Sequence, residues 1–363
     1  MSLSRPVKAA RRAVEHRRRL ADLFPWTKSP LVVGAPMRVF SGPAMAVAIA
    51  RAGGLGFIGP GEKPESTAAD LAAAVDLLKT APVPTKVSLL PVGAGFQVWN
   101  GDVESAVDAV AKHRPCAVWL FAPRDGQAEL TEWTRRLRAA SPGTQVWVQV
   151  GTLREAVEAG TGADAADALV LQGAEAGGHG RATDGVGLIS LLPEVADALG
   201  EESQKSRDIP LIGAGGIADG RGALSVLSLG AAGVAMGTRF LASTEARINA
   251  AYQAEVVRAT DGAHNTGRTH LYNHLRGTYG WPEQYSPRGL LNQSWADEQA
   301  GVPFEELKAR HDAATKKGGT AAWGPHGRTA TYASASVGLV RDVQGAADII
   351  KQTRNEIAEL ALL

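Results

Sequence analysis

Eight short apolar runs, separated by segments with apolar residues at helical spacing, constrain the fold of this chain more than any other feature. Each run is continuously apolar rather than alternating, as expected of strands buried on both faces of a parallel sheet. Alternation of such strands with helices predicts successive βαβ units. The predicted strands are Leu31–Ala35, Leu55–Ile58, Lys86–Leu90, Ala117–Phe121, Gln145–Val150, Ala168–Leu171, Ile209–Ile212 and Gly233–Met236. The predicted helices are Ala68–Leu78, Val103–Ala111, Glu129–Ala139, Leu153–Ala159, Leu191–Leu199 and Gly222–Leu229.

The number of units and the position of the glycine-rich turns decide between two α/β architectures. A doubly wound sheet usually has about five to seven strands, with its phosphate loop after the first. Here the glycine-rich turns follow the sixth, seventh and eighth strands, which is where a TIM barrel builds its phosphate site. The sequence therefore predicts an α/β protein with a (β/α)₈ TIM barrel, and the open sheet is the alternative.

The residues outside the eight units predict a three-part organisation. Residues 1–24 form a basic N-terminal helix, whose arginines are interpreted as a solvated face rather than a binding surface. Residues 25–245 and 331–363 form the barrel, which the amphipathic segment Val343–Leu360 closes as a last helix. Residues 246–330 are rich in aromatic residues and histidine, and they predict a helical excursion over one end of the barrel.

Composition excludes several classes of function. A net charge of +1 indicates neither a nucleic acid nor a membrane partner. The single cysteine, Cys116, allows no intramolecular disulfide and is expected to be a buried thiol. No apolar stretch reaches the ~20 residues of a membrane helix, and no signal peptide is evident at the N-terminus. A cytoplasmic protein with a small-molecule substrate is expected, and assembly into a homo-oligomer stays open.

The segment from Gln172 to Gly180 is the strongest local motif. It directly follows the sixth predicted strand and therefore lies at the C-terminal face, where barrel active sites form. Gly177 and Gly178 remove side chains where a ligand has to contact the backbone. His179 follows on an expected mobile loop, and its pKa near neutrality suits it to transfer a proton. The alternative is that the glycines only form a turn and His179 is a solvated loop residue.

Two further glycine-rich turns, Gly213–Ile217 and Met236–Phe240, follow the seventh and eighth predicted strands. Backbone N–H groups at such turns, with a following helix N-terminus, form an anion site. Two of them on consecutive strands match the place where phosphate binds in many barrels. Arg239 either supplies a charge to this site or forms a salt bridge at the surface.

In their order along the chain these motifs resemble those of nitronate monooxygenases, formerly called 2-nitropropane dioxygenases. The resemblance covers about residues 30 to 245, and its most specific element is Ala176-Gly177-Gly178-His179. Later segments, Arg276-Gly277-Thr278 and Trp281-Pro282, are similar to the fungal branch of the family. The matching segments are Gly34–Met37, Gly53–Gly56, Gln172–Gly180, Gly213–Ile217 and Gly237–Phe240.

The resemblance implies FMN, bound non-covalently at the top of the barrel, and a nitronate or nitroalkane substrate that is oxidised with O₂. It places the residues of the first-strand loop against the isoalloxazine ring, and it assigns the flavin phosphate to main-chain donors after the seventh and eighth strands. His179 matches the histidine proposed as the catalytic base. The cofactor-binding residues implied in this way are Ala35, Pro36, Met37, Gln172, Gly177, Gly178, Gly215, Gly216, Met236, Gly237 and Thr238.

Two positions depart from the family pattern. Ser88, in the setting Val87-Ser88-Leu89 at the third predicted strand, stands where related bacterial enzymes have asparagine, and the shorter side chain removes one expected hydrogen bond to the flavin. Met37 is followed by Arg38-Val39-Phe40 rather than by small residues. We expect these bulky groups to narrow the substrate pocket.

The expected chemistry gives His179 one of two roles. With a neutral nitroalkane it removes the α-proton, a contribution worth roughly 10²–10⁴-fold; with a preformed nitronate it steers or stabilises the anion. The products are a carbonyl compound and nitrite. An NAD(P)H-dependent flavin reductase, of the quinone or enoyl-acyl-carrier-protein reductase type, is the alternative because it shares the flavin site. A flavin-free barrel acting on a sugar phosphate is an alternative from another class.

Other residues allow two interpretations each. Glu175 either orients His179 or faces solvent. His270 and His274 are spaced as a helical metal pair, but Leu271-Tyr272-Asn273 stands between them, without the Glu of a zincin motif, and no metal is expected. Three aromatic residues either line the substrate pocket or fix the excursion to the barrel: Tyr279, Trp281 and Tyr285.

Overall fold

Eight parallel strands close into a barrel in the computed structural model, which describes residues 4–63, 65–85, 87–201, 208–324 and 326–363. The described strands are β1 (Leu31–Gly34), β2 (Leu55–Ile58), β3 (Leu90–Gln97), β4 (Pro115–Phe121), β5 (Gln145–Val150), β6 (Ala168–Gln172), β7 (Gly178–Arg181), β8 (Leu211–Ala214), β9 (Gly233–Met236), β10 (Thr266–Arg268) and β11 (Tyr285–Leu290). The described α-helices are α1 (Arg5–Leu23), α2 (Pro43–Arg51), α3 (Ser66–Thr80), α4 (Val103–His113), α5 (Gly126–Ala140), α6 (Leu153–Gly160), α7 (Leu188–Glu201), α8 (Gly220–Ser228), α9 (Thr238–Leu241), α10 (Ala250–Arg258), α11 (Gly262–Asn265), α12 (Leu271–Leu275), α13 (Gln293–Gln299), α14 (Phe304–Lys317), α15 (Gly319–Ala322) and α16 (Ala346–Leu360).

The barrel follows chain order, β1-β2-β3-β4-β5-β6-β8-β9, and β9 pairs with β1 to close it. This confirms the predicted TIM barrel. Seven of the eight predicted strands overlap the barrel strands and differ from them by at most two residues at either end. The seventh predicted strand, Ile209–Ile212, begins two residues before β8, and β4 begins two residues before the predicted fourth strand. The third predicted strand is wrong.

The third barrel strand is β3, whereas the sequence predicted Lys86–Leu90, whose first residue lies outside the described part of the chain. A Cβ on Gly93 would lie 2.3 Å from the Phe57 ring, and one on Gly95 would lie 2.3 Å from Cβ of Pro36. Glycine is therefore required where Phe57 fills the barrel and where the loop after β1 crosses β3. These glycines interrupt the apolar run, which explains why the sequence pattern misplaced the strand.

Aromatic side chains fill the barrel interior. The Phe57 ring lies 5.3 Å from the ring of Trp119 and 5.3 Å from that of Trp147, measured between centroids. Trp119 donates its indole N–H to Oε1 of Gln149 at 2.9 Å. The interior is thus a packed core beneath a polar upper layer, as in other barrels of this type.

Side-chain caps begin several of the outer helices. The Asp102 carboxylate accepts from the Ser105 N–H at the start of α4, and Thr152 caps α6 in the same way. Asp219 accepts from two N–H groups of α8. Such caps satisfy backbone donors that the first helical turn leaves without partners.

Helix α1 covers the end of the barrel opposite to the strand C-termini. Its buried face packs against α7. The Arg17 guanidinium donates to the carbonyl of Leu227, at the end of α8, and to that of Ala231, in the turn before β9, at 3.0 Å each. Arg12 donates to Ala196, so these two arginines are structural, while Arg18 faces solvent. None of the described helices is long and apolar enough to cross a membrane.

The excursion after β9 contains strands as well as helices, so the purely helical prediction was incomplete. Strands β10 and β11 form an antiparallel sheet with β7, in the order β10-β11-β7. The excursion also extends past residue 330, because Val337 and Val340 pack in one apolar cluster with Tyr252 and Val256. Helix α16 then packs against α8 and α2 as the closing helix of the outer ring.

Candidate active site

One cavity of about 510 Å³ lies at the C-terminal ends of the barrel strands, under the excursion. Its size falls within the range of ~300–1,000 Å³ for small-molecule sites. Of the residues chosen from the sequence, those lining it are Ala35, Pro36, Met37, Gln172, Gly177, Gly178, His179, Gly215, Gly216, Gly237 and Thr238.

Met236 is the exception among the residues chosen from the sequence. Its side chain is fully buried in β9, where its sulfur contacts the Thr353 hydroxyl of α16 at 3.9 Å. Its carbonyl accepts from the Ala35 N–H at 3.0 Å. Met236 therefore anchors the loop after β1 and does not line the cavity.

The turns after β8 and β9 present free backbone donors to the cavity. The N–H groups of Gly215, Gly216, Gly237 and Thr238 donate to no carbonyl of the described residues. Gly215 and Gly216 have φ values of +101° and +73°, in the region that glycine tolerates best. A Cβ on Gly215 would lie 2.9 Å from the Gly173 carbonyl oxygen. These turns have the geometry of an anion-binding cradle.

Arg239 takes no part in this cradle. Its buried guanidinium pairs with Asp342 at 2.9 Å and donates to the Asp342 carbonyl at 3.0 Å. It therefore fixes the segment before α16 to the base of the excursion. Arg239 forms a salt bridge, as one of the two interpretations expected, but its guanidinium is buried rather than at the surface.

The loop after β1 is held tightly against the cavity. The Met37 N–H donates to the Ser41 hydroxyl at 2.8 Å, and the Val39 N–H donates to the Pro60 carbonyl at 2.9 Å. Val39 has a φ of +60°, which is unusual for a β-branched residue. Such strain is typical of functional sites, where surrounding contacts maintain it. Arg38 and Val39 both line the cavity mouth.

The glycine-rich segment after β6 is supported by a partly buried arginine, which no pattern in the sequence indicated. Arg268 of β10 donates to the carbonyls of Ala174, Ala176 and Gly178, at 3.2, 3.3 and 3.3 Å, and also to that of Ser286. Burial, together with the neighbouring Arg288, lowers the pKa of Arg268 to about 10. Arg268 thus fixes the backbone that precedes His179.

Glu175 has a different role from either that was predicted. Its carboxylate oxygens accept from the Leu188 N–H at 3.2 and 3.3 Å, at the beginning of α7. Glu175 therefore stabilises the N-terminus of α7. It does not orient His179, and it is not a solvated side chain without a partner.

His179 lies on β7, whereas the sequence predicted a mobile loop. Strand β7 pairs with β11, in the register His179 to Pro287 and Gly178 to Arg288. The motif Gly-His-Gly-Arg has little β-propensity of its own, so its strand conformation depends on the excursion. The histidine is consequently held by a sheet rather than free in solvent.

Three side chains of the excursion surround the His179 ring. Trp281 stacks on it, with centroids 3.6 Å apart and planes inclined by 8°, and Tyr332 meets its edge at 5.8 Å. Asn273 Nδ2 lies 3.0 Å from His179 Nε2. Burial, followed by the positive charge of Arg276, holds the pKa of His179 well below its usual value. The imidazole is therefore neutral at neutral pH.

The three aromatic residues singled out in the sequence differ in position. Trp281 and Tyr279 line the cavity, and Tyr279 is 61% exposed at its mouth. Tyr285 is buried against Phe121 and lies under the Arg181 guanidinium. Both predicted roles therefore occur, pocket lining for the first two and attachment to the barrel for the third.

Two other predicted features, the His270–His274 pair and Cys116, lie away from the cavity. The rings of His270 and His274 stack at 5.9 Å, and the described residues include no group of three or more side chains that could hold a metal. Cys116 is buried, as predicted, and burial raises the pKa of its thiol.

Ser88 is exposed before β3 and does not line the cavity, so the concern about a lost flavin contact there does not apply. Because β3 lies further along the chain than predicted, its C-terminal residues Phe96 and Gln97 occupy that position instead. Gln149 at the end of β5 also lines the cavity.

Sequence comparisons agree with this geometry. A family model described as nitronate monooxygenase matches residues 101–275. The nitronate monooxygenase npaC of Metarhizium robertsii is 62% identical over 344 residues, which cover 94% of this chain and 95% of that protein. The chain belongs to the nitronate monooxygenase family. A nitronate monooxygenase of Neurospora crassa is 35% identical over 94% of this chain and 92% of its own.

A solved structure supports the same conclusion. The nitroalkane oxidase of Streptomyces ansochromogenes superposes with a TM-score of 0.69 at 25% identity, covering 95% of this chain and 99% of that one. Membership of the nitronate monooxygenase family makes this chain an oxidoreductase and implies a flavin cofactor. The free N–H groups of the two turns and the cavity of about 510 Å³ that they line fit such a group.

Proposed function

We propose that this protein oxidises nitronates to a carbonyl compound and nitrite, using FMN and O₂. The observation that carries the proposal is the cavity itself, in which two turns with free N–H groups and the neutral imidazole of His179 line one space. Phosphate is the anion that such backbone cradles commonly bind. Membership of the nitronate monooxygenase family supports the substrate class.

The residues divide between cofactor and substrate. Ala35, Pro36 and Met37 would lie against the flavin ring, with Gln172, Gly177 and Gly178 at its edge. The phosphate would accept from the main chain of Gly215, Gly216, Gly237 and Thr238. When bound, FMN supplies the electron transfer between the substrate and O₂, while the protein orients the substrate and excludes water.

His179 is the proposed catalytic residue, with a role that depends on the form of the substrate. It accepts the α-proton of a neutral nitroalkane or donates a hydrogen bond to a nitronate that is already an anion. Replacement His179→Phe removes both the base and the N–H donor, and so separates these roles. Loss of turnover mainly with nitroalkanes indicates the base, and equal or larger loss with preformed nitronates indicates the donor.

The function is tested by adding a preformed alkyl nitronate to the purified yellow protein in air, without any nicotinamide. We expect nitrite release, together with anaerobic reduction of the flavin by the nitronate. Rapid anaerobic bleaching by NADH or NADPH, with no nitrite from any nitronate, would instead show a flavin reductase. A colourless protein that binds no flavin would exclude both activities.

A further inference from the structure

The side chain of Asn273 connects His179 to a pair of residues that determine which way its amide points. Asn273 is only 1% exposed and lies on α12. Its Oδ1 accepts from the Tyr332 hydroxyl at 3.1 Å and from Nη2 of Arg276 at 3.3 Å. Arg276 also donates to the Tyr332 oxygen, which leaves the Tyr332 proton free to point at Asn273. The opposite amide orientation would place Nδ2–H against a guanidinium that cannot accept.

This orientation determines the protonation of His179. Because Oδ1 is directed at Arg276 and Tyr332, it is Nδ2–H of Asn273 that faces Nε2 of His179, at 3.0 Å. Nε2 must then carry a lone pair, since a proton there would meet another N–H donor. The single proton of the neutral ring is therefore on Nδ1.

The other ring nitrogen faces the cavity. Nδ1 of His179 has no hydrogen-bond partner among the described residues. It is also absent from the set of buried side-chain atoms without a partner, so Nδ1 is an accessible atom. His179 lines the cavity, whereas Asn273 does not. The accessible Nδ1–H consequently points toward the space where a substrate would lie.

We propose that Asn273 is a positioning residue that holds His179 in the Nδ1–H form, so that His179 offers a hydrogen-bond donor to an anionic substrate. The substrate part of this inference rests on the proposed nitronate oxidation. The geometry selects the donor role for His179, because the lone pair needed for proton abstraction is engaged with Asn273. Arg276 contributes through its fixed charge, which also opposes protonation of the ring.

Other charged or titratable groups around His179 agree with a neutral ring. Arg268 of β10 and Arg276 after α12 are cations, and Tyr332 is partly buried, which raises its pKa. His270, at the N-terminus of α12, is the neighbouring imidazole, and burial lowers its pKa too. No carboxylate is among the groups that shift the pKa of His179.

The first test reads the tautomer directly. The full chain with its bound flavin is labelled with ¹⁵N-histidine, and ¹H–¹⁵N correlations through two bonds are recorded from about pH 6 to about pH 8, around the usual imidazole pKa of ~6.5. His179→Asn identifies the relevant signals among the eight histidines. We expect a protonated Nδ1 and an unprotonated Nε2 throughout. A protonated Nε2, or a mixture of both forms, would overturn the proposal.

The second test reverses the polarity of the contact with Asn273→Asp. A carboxylate accepts from Nε2–H, raises the pKa of His179 and leaves Nδ1 without a proton once the ring is neutral. Nitronate turnover in this variant should persist at low pH and fall as the pH rises through that raised pKa. At the alkaline end we expect nitronate turnover to be about 100-fold lower, which is the usual effect of losing one donor that stabilises an anion. The unmodified enzyme should show no such pH dependence.

Two controls separate positioning from structural damage. Asn249→Asp adds the same charge at the exposed N-terminus of α10, where aspartate also caps, and should leave the pH profile unchanged. Adding His270→Gln to Asn273→Asp removes the neighbouring imidazole. The double variant should still lose nitronate turnover as the pH rises. If Asn273→Asp instead binds less flavin and its turnover depends on pH as in the unmodified enzyme, Asn273 is merely structural.

The two proposals fail separately. If the tautomer is as expected but no nitronate is oxidised, the proposed function is wrong and the assignment of His179 stands. If nitrite is released but Nε2 carries the proton, the function stands and the role of Asn273 is wrong.

Discussion

The rim of the barrel, which consists of the loops that follow its strands, and the excursion line the same cavity with different chemical groups. The rim contributes mostly main chain, in the turns that contain Gly215 and Gly237, where no side chain intervenes. The excursion contributes side chains, among them Trp281 and Arg276, which surround His179. The rim should therefore be sensitive to the addition of a single Cβ, and the excursion to a change in hydrogen-bond polarity.

The largest effect is expected where the two regions meet, at Gly177. A Cβ there would lie 2.4 Å from the carbonyl carbon of Ala333 and 2.5 Å from the Ser334 nitrogen. Because both contacts are backbone, Gly177→Ala should separate the rim from the excursion, destabilise the fold by about 3 kcal/mol and abolish nitrite release. Thermal unfolding and flavin content measure both consequences.

Gly178→Ala is the matched control for this separation. Gly178 has a φ of +69° and no atom within 4 Å of an added Cβ, so the substitution introduces backbone strain without a collision. We expect a loss of only about 1 kcal/mol in the free energy of unfolding. Equal destabilisation by the two substitutions would mean that the contact with Ala333 is unimportant.

A smaller but still substantial loss is expected from Arg268→Met. The substitution preserves the apolar stem and leaves the carbonyls of Ala174, Ala176 and Gly178 without their donor. Buried acceptors without partners cost about 1–3 kcal/mol each, so the unfolding free energy should fall by at least about 2 kcal/mol. Arg310→Met, on the surface of α14, should change little, and a similar loss there would contradict the special role of Arg268.

The pH dependence of stability provides a more moderate test. The pKa of His179 in the folded protein lies below its value of ~6.5 in the unfolded chain. The unfolded state then binds more protons, so stability is full above about pH 6.5 and decreases as the pH falls toward the folded-state pKa. His16 and His311 are shifted in the same direction by burial. Chemical denaturation at several pH values measures how steeply the free energy of unfolding decreases as the pH falls. This dependence should be shallower for His179→Asn than for the unmodified protein, and an identical dependence would refute the neutral ring.

The smallest effect is expected at Arg38, which lies exposed at the cavity mouth. Its charge attracts an anionic substrate through solvent, an interaction that salt screens. Arg38→Ala should raise KM for a nitronate about twofold to fivefold at low ionic strength and leave kcat unchanged. Arg11→Ala, at the opposite end of the molecule, is the control, and a change in kcat with Arg38→Ala would place this residue nearer to the chemistry.

The rim was predictable from the sequence because local rules determine it. Continuous apolar runs predicted the strands, and the glycine turns near Gly215 and Gly237 follow directly from the ends of β8 and β9. The failure at β3 has a local cause too, since Gly93 and Gly95 are required by neighbours and dilute the apolar pattern.

The substrate side of the cavity was not predictable in the same way. His179 and Asn273 are 94 positions apart, and the strand conformation of β7 exists only because β11 pairs with it. A pattern of residues within one segment contains no information about such a partner. The sequence identified His179 and Trp281 as candidates, but the tautomer of the one and the stacking of the other depend on long-range contacts.

The pairing of β7 with β11 also bears on how the chain acquires its activity during synthesis. The segment containing His179 leaves the ribosome well before Asn273, and 94 positions separate them. At about 5–20 residues per second, the histidine waits roughly 5–20 s for its partner. A nascent chain can therefore assemble barrel strands while its reactive side chain is still unorganised, and chemistry begins only once translation has passed the excursion.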